Sequence, residues 1–308
     1  MSGRRRLGVG VAVIVAAAVF ASILQASRAS QTARAASPAP VQIHSAHGAS
    51  FLPALQGKRP LFILAIGSDA RPNETPTSTR GDSLHLIGVN LQRHRASILG
   101  FPRDSYVNIP GHGTDKINSA LFFGGPPLVV QTIESLTGIR IDFWVLTGFK
   151  GFKAFWNDVG PIEVDVPLSM SDPYSGAFFT AGRHSLKGSE ALSFARDRHD
   201  VPGGDIGRSE NQGRLLVAAM GALGKRAKVN PAELLLWMAS GWRNVSTDIP
   251  AGELLDLALT AIQISPKKIT NQVVPSTTGT AGAASVVFIS SSASSIYADM
   301  RADGVVGH

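Results

Sequence analysis

The sequence predicts an α/β fold, and three observations carry that expectation. An apolar run at residues 61–66 ends on Gly67-Ser68-Asp69, as a buried strand does where it turns. Strand-like and helix-like segments then alternate as far as residue 264, the pattern of a layered core. Hydrophobic residues make up 44% and charged residues 17% of the 308, which suits one full core with appendages better than two equal domains.

The N-terminus stands apart. Residues 7–24 are uncharged and almost wholly apolar, and Arg4, Arg5 and Arg6 precede them. Basic residues ahead of such a run hold a short N-terminus in the cytoplasm and export the chain beyond it, so residues 1–24 read as a single-pass membrane anchor. Ala33-Arg34-Ala35-Ala36 offers the rival reading of a cleaved signal peptide, although it lies far beyond the apolar run. Residues 25–57 are rich in Ala, Ser, Pro and His without periodicity, which describes a flexible linker reaching on the order of 30 Å. Residues 58–308 then form an extracytoplasmic body, with a motif-bearing core at 61–223 and a C-terminal extension at 224–308.

Within the body, Pro60 precedes the first strand and a Pro/Thr-rich loop fills 72–79. Residues 83–89 and 96–101 read as a hairpin, whose reversal sets Asp82 and Arg103 at one edge. Helices are expected at 116–123 and 127–136, the second opened by Pro127 and stopped by Gly138. Strands at 141–146 and 162–166 flank a helix at 149–159. Further helices fall at 186–194, 205–223 and 251–264, and late strands at 268–274 and 285–289 cross a Ser/Thr/Gly/Ala-rich tail.

The net charge of +7 does not imply a nucleic-acid partner. Arg4, Arg5, Arg6, Arg28, Arg34, Lys58 and Arg59 all precede the first acidic residue, Asp69, and removing those seven from 29 leaves 22 basic residues against 22 acidic. A neutral body is no electrostatic footprint for DNA. The absence of cysteine excludes thiol catalysis and thiolate metal sites. Neither a GxxxxGK[ST] loop nor a nucleophile elbow occurs, which argues against nucleotide donors and acyl transfer. The eight histidines show no HxxxH-type spacing, so no zinc site is expected.

Arginines and aspartates instead recur in short groups. Asp205, Arg208 and Gln212 are spaced i, i+3, i+7 and share one helix face behind Gly203-Gly204, where a helix N-terminus favours an anion; a plain N-cap aspartate with a solvated arginine is the blander alternative. Arg196 and Arg198, two apart, would project from one side of an extended segment as a clamp, or form an ordinary surface pair with Asp197 or Asp200. Asp69 and Asp82, each with an arginine two residues away (Arg71, Arg80), suit a hard cation such as Mg²⁺ on diphosphate oxygens, or are simply turn aspartates. The aromatic density from Leu121 to Trp156 reads first as core and second as the wall of a lipid groove.

Eight segments in order resemble the LytR-CpsA-Psr family: Gly67-x-Asp69-x-Arg71, Arg80-Gly81-Asp82, Phe101-Pro102-Arg103-Asp104, Lys116-Ile117-Asn118-Ser119-Ala120, Gly138-Ile139-x-Ile141-Asp142, Leu186-Lys187-Gly188-x-Glu190-Ala191-Leu192, Arg196-x-Arg198 and Gly204-Asp205-x-x-Arg208-x-x-x-Gln212. Each is weak alone; together and in order they are specific. The resemblance implies an α/β/α sandwich around a central mixed sheet, with a prenyl tail in an apolar groove. It implies a membrane-anchored phosphotransferase that moves a glycopolymer from a polyprenyl-diphosphate carrier to a peptidoglycan hydroxyl, with Mg²⁺ or Mn²⁺. By position, Asp69 and Asp82 resemble the metal carboxylates. Asp82, Arg103, Arg196 and Arg198 take the catalytic and diphosphate-binding places, and Arg71, Arg80, Asp205, Arg208 and Gln212 the substrate-binding lining. Phe194 stands where the family often has tyrosine, which removes a hydroxyl and puts fine positioning of the substrate in question.

Two alternatives use the same residues: a polyprenyl-diphosphate hydrolase, with water in place of the sugar, and a non-catalytic lipid or glycan binder. Transcriptional control, suggested by the family's historical label, fits poorly with an exported neutral body that lacks a helix-turn-helix pattern.

Overall fold

The computed structural model describes residues 59–71 and 73–307. The expected anchor and linker lie outside the described residues, and no helix among the described residues is long and apolar enough to cross a membrane.

Leu61–Ser68 (β1) is apolar on both faces, and a strand of that kind needs a layer on each side. Phe62, Leu64 and Ile66 join one cluster, while Leu61 and Ile63 join another. Gly81–Asn90 (β2) runs back antiparallel to β1, and Arg95–Phe101 (β3) antiparallel to β2, so Leu86 lies between Leu64 and Leu99. A hairpin of Tyr106–Ile109 (β4) and Gly113–Lys116 (β5) leads into helix Ser119–Thr137 (α1). Phe143–Thr147 (β6) then pairs parallel with β1 and is followed by Phe149–Val159 (α2). Ile162–Val166 (β7), the small hairpin Met170–Asp172 (β8) with Ala177–Phe179 (β9), and Gly182–Leu186 (β10) come after it, β10 pairing antiparallel with β7.

Helices Gly188–Arg196 (α3), Asp205–Val229 (α4) and Ala232–Asn244 (α5) come next, then Ser246–Thr247 (β11) and Leu254–Ala261 (α6). Ile269–Val273 (β12) pairs parallel with β3, and β11 antiparallel with β6. The hairpin Ser276–Ala281 (β13) with Ala284–Ile289 (β14) and helix Ala293–Asp303 (α7) complete the described chain. The central sheet therefore runs β11-β6-β1-β2-β3-β12 and is mixed, as expected. Helices α1 and α7 supply Val129, Ile133, Tyr297 and Met300 to one face, and α6 packs Leu254 and Leu257 on the other. These layers make an α/β/α arrangement. Strands β11 and β12 come from the C-terminal extension, so the sheet is not confined to residues 61–223.

Several expected boundaries move. The helix anticipated at 116–123 starts at Ser119, because Lys116 pairs with Tyr106 across the β4–β5 hairpin. Helix α1 runs through both anticipated helices but is broken between them, where Gly125 has φ 65° and Pro126 and Pro127 come directly after it. Leu186 is a strand residue opposite Ile162, which delays α3 to Gly188. The helix expected at 251–264 shortens to α6 behind a 3₁₀ turn, Ala251–Glu253.

Candidate active site

The ladder between β1 and β2 slips at its end: Gly67 faces Ser83 while Ser68 faces Gly81, leaving Asp82 as the extra residue of a bulge. Bulges re-aim side chains, and this one turns Asp82 toward the polar cluster. The Arg103 Nη1 donates to Asp82 Oδ1 at 2.5 Å, so the hairpin brings this carboxylate and guanidinium together as expected. Asp104 lies 3.8 Å from Arg103 Nε and takes Lys116 Nζ at 3.1 Å.

The first turns of α4 bring the rest. Arg208 Nη2 is 3.1 Å from Asp205 Oδ1, Arg208 Nη1 is 3.9 Å from Asp82 Oδ1, and Asp205 Oδ1 is 3.8 Å from Arg103 Nε. Gln212 Nε2 donates to the carbonyls of Asp82 (3.3 Å) and Ala195 (3.1 Å), tying α4 to β2 and α3. The three residues spaced along one helix face thus meet the hairpin edge. Gly204, not Asp205, is the N-cap; Gly203 and Gly204, at φ 71° and 58°, form the left-handed turn that precedes the helix.

Burial pulls the Arg208 guanidinium below its ordinary value; Asp82 and Asp205 oppose that, while the charges of Arg103 and Arg198 add to it. Arg103 is pulled down by burial too, but Asp82, Asp205 and Asp104 outweigh it and carry the group above its ordinary value. The Nε atoms of Arg103 and Arg208 are buried without a hydrogen-bond partner among the described residues. Buried N–H groups in that state are donors suited to an added anion.

Arg196 closes α3 and lies 5.1 Å above the Phe149 ring. The extended segment expected for Arg196 and Arg198 is instead a helix end: only at Asp197, with φ −62° and ψ 128°, does the chain leave the helix. Arg198 is exposed beyond it, within electrostatic reach of Arg208. The Asp69 N–H donates to the Arg80 carbonyl at 3.1 Å and the Arg80 N–H donates to Asp69 Oδ1 at 3.0 Å, which fastens the loop after β1. The Arg71 and Arg80 side chains stand exposed on that loop. Asp69 and Asp82 each engage Oδ1, leaving a second carboxylate oxygen without a hydrogen bond among the described residues. Carboxylate oxygens are the donors that a hard divalent cation takes.

A cavity of about 440 Å³ opens beside the cluster. Asp82, Ser83, Arg196 and Gln212 stand among its lining residues, which are otherwise largely apolar side chains of α2, α4 and α5, including Phe152, Trp156, Leu215, Ala219, Trp237 and Trp242. Phe149, Phe152, Phe155 and Trp156 line this apolar cavity, whereas Phe143 and Trp144 are buried core and Phe122 and Phe123 are exposed. Sequence reasoning passed over α5, whose cavity residues show no polar motif, and the Asp104–Lys116 pair that backs Arg103. Phe194 is fully buried against Phe179, inside the core beneath α3, so the missing hydroxyl concerns packing more than substrate positioning.

The sequence model of the LytR_cpsA_psr family matches residues 18–300. The chain belongs to this family. Among LytR_cpsA_psr proteins it is 33% identical over 206 residues to the polyisoprenyl-teichoic acid–peptidoglycan teichoic acid transferase TagU of Enterococcus faecalis, covering 67% of each chain. It is also 33% identical over 201 residues to the TagU of Oceanobacillus iheyensis, covering 63% of this chain and 61% of that one. The crystal structure of Bacillus subtilis TagV shares the fold at a TM-score of 0.68 and 29% identity, covering 78% of this chain and 94% of that one.

Proposed function

We propose that this chain is a membrane-anchored phosphotransferase that moves a wall glycopolymer from a polyprenyl-diphosphate carrier to a peptidoglycan sugar hydroxyl, outside the cell. The observation that carries this reading is the apolar cavity reaching Asp82, Arg196 and Gln212, next to Arg103 and Arg208. A prenyl chain fills the first part and a diphosphate the second. The names of the relatives, which specify polyisoprenyl-linked teichoic acid and peptidoglycan, support the same substrate class.

Arg103, Arg196, Arg198 and Arg208 grip the diphosphate oxygens and offset the charge that builds on them as the bond breaks. The acceptor hydroxyl oxygen bonds to the phosphorus nearer the glycan, the P–O bond to the outer phosphate breaks, and prenyl monophosphate leaves. The hydroxyl proton passes to a neighbouring base or to water. Asp69 and Asp82 would hold Mg²⁺, which when bound neutralises diphosphate charge. Asp205 holds Arg208 in place, and Gln212 fixes α4 against β2.

The test incubates the purified full-length chain with a prenyl-diphosphate-linked oligosaccharide and peptidoglycan oligomers. Glycan should become linked, and Arg198→Ala should reduce the rate by about 100-fold or more, as loss of a transition-state donor does, without unfolding an exposed position. Unlinked glycan phosphate as the sole product would replace transfer by hydrolysis. Near-normal turnover of the variant would remove Arg198 from the mechanism.

A further inference from the structure

Asp197, between Arg196 and Arg198 in the chain, belongs to a second grouping that the transfer reaction does not use. Asp172, at the end of β8, and Asp197, directly after α3, are 2% and 0% exposed, and His199 stands beside them. One ligand atom from each lies within 4.8 Å of the others, and His199 Nδ1 is 3.1 Å from Asp172 Oδ1. Both carboxylates are aimed by backbone. The Tyr174 and Ser175 amides donate to Asp172 at 3.0 and 3.1 Å, and the His199 and Asp200 amides donate to Asp197 Oδ1 at 3.0 and 3.3 Å. Asp200 in turn accepts the Ser171 N–H at 2.5 Å, fastening the turn to β8.

The decisive atom is Asp197 Oδ2, which is buried and has no hydrogen-bond partner among the described residues. A buried carboxylate oxygen in that state, next to a second buried carboxylate, is strongly unfavourable unless a proton or a cation compensates it. We propose that Asp172, Asp197 and His199 bind a divalent transition metal of the zinc class. One imidazole nitrogen with two carboxylate oxygens suits zinc, which takes nitrogen and oxygen donors in a four-coordinate shell, better than it suits calcium or magnesium. The amide donors hold the ligands as outer-shell partners do, and the His199 side chain, 46% exposed, leaves an access route. Sequence spacing conceals the site because Asp172 comes from β8 and the other two from the turn after α3. Because Asp197 sits between Arg196 and Arg198, a metal here would fix the turn that presents both guanidinium groups.

The test measures zinc bound to the full-length chain, stripped with EDTA and dialysed against micromolar zinc chloride. Wild type should retain one equivalent more than His199→Ala, whose substitution is at an exposed side chain and should leave the fold intact. Asp69→Asn should retain the same zinc as wild type. Zinc should also raise the melting temperature of wild type by about 4 °C or more, and that of His199→Ala by less. Equal zinc in wild type and His199→Ala overturns the site, as would happen if a protonated His199 alone closed the carboxylate pair. Loss of the equivalent in Asp69→Asn, with His199→Ala unaffected, also overturns it by moving the metal to the diphosphate cluster. Neither result touches the proposed transfer reaction, which is read separately as linked glycan.

Discussion

His85 is buried in the middle of β2 and faces α4, where its Nε2 lies 2.9 Å from the Ser209 carbonyl. A carbonyl only accepts, so Nε2 carries the proton and Nδ1 accepts from the Ser83 hydroxyl at 3.1 Å. Burial pushes the imidazole down to about 4, with the Ser209 carbonyl opposing it in part. An unfolded histidine titrates near about 6.5, so below that pH the unfolded chain binds a proton that the folded chain does not. His85 therefore stabilises the fold above about pH 6.5 and loses that contribution as pH falls toward 4, at up to about 1.4 kcal/mol per pH unit. Urea unfolding of wild type and His85→Gln between pH 7.5 and 5 measures it. The variant should be less stable at neutral pH and show a shallower loss on acidification; parallel curves would mean His85 is not the titrating group. Arg208, 4% exposed, poses the opposite demand and meets it with Asp82 and Asp205. A buried charge needs partners, and here the partners are the residues expected to meet the substrate.

At the scale of elements, α4 is the organising helix, since it lies against β2, β3, β7 and β12 while its first turns carry the polar cluster. Such close approach to the sheet depends on Gly213, where an added Cβ would overlap the Asn271 side-chain amide of β12. That amide is itself engaged, donating to the Glu210 carbonyl at 3.0 Å. Helix propensity alone predicts that Gly213→Ala stabilises by up to about 1 kcal/mol. Overpacking against Asn271 should win, giving a loss of about 1–3 kcal/mol, and Asn271→Ala in the same chain should restore much of it. A denaturation cycle on the two single variants and the double variant decides it; additive effects would place the cost elsewhere. The polar face of α4 was legible in the sequence because 3.6-residue periodicity is local, and so was the Asp82–Arg103 edge, because a hairpin is local. The bulge that re-aims Asp82, the β4–β5 hairpin that claims Lys116, and the Asp172–Asp197–His199 grouping were not legible. Each depends on register or on contacts between segments that periodicity does not encode. Helix α7 was passed over for another reason: its stripe of Ala293, Ile296, Tyr297 and Met300, spaced i, i+3, i+4, i+7, is short and set in a Ser-rich stretch, yet it is the face that packs on the core.

For the molecule as a whole, the cavity divides the work of recognition. Its wall, built by α2, α4 and α5 against the sheet, is largely apolar and suits a prenyl chain, whereas Asp82, Arg196 and Gln212 are the charged and amide side chains in its lining. Affinity for a carrier lipid should therefore be nearly separable into a tail term and a headgroup term, with each buried methylene worth about 0.8 kcal/mol. Ala219 lies on α4 and lines the apolar part of the cavity. Ala219→Phe should fill that space, weakening binding of a long prenyl diphosphate by about 10-fold or more, the loss of two or three methylene contacts. The same change should leave inorganic pyrophosphate binding within about two-fold, because the arginine cluster is untouched. Arg196→Ala should give the converse pattern, weakening both ligands by a similar factor. Equilibrium binding of the two ligands to wild type and the two variants gives six numbers for two independent terms. If Ala219→Phe left lipid affinity unchanged, the tail would lie elsewhere; if it weakened pyrophosphate equally, the cavity and the cluster would be one coupled site.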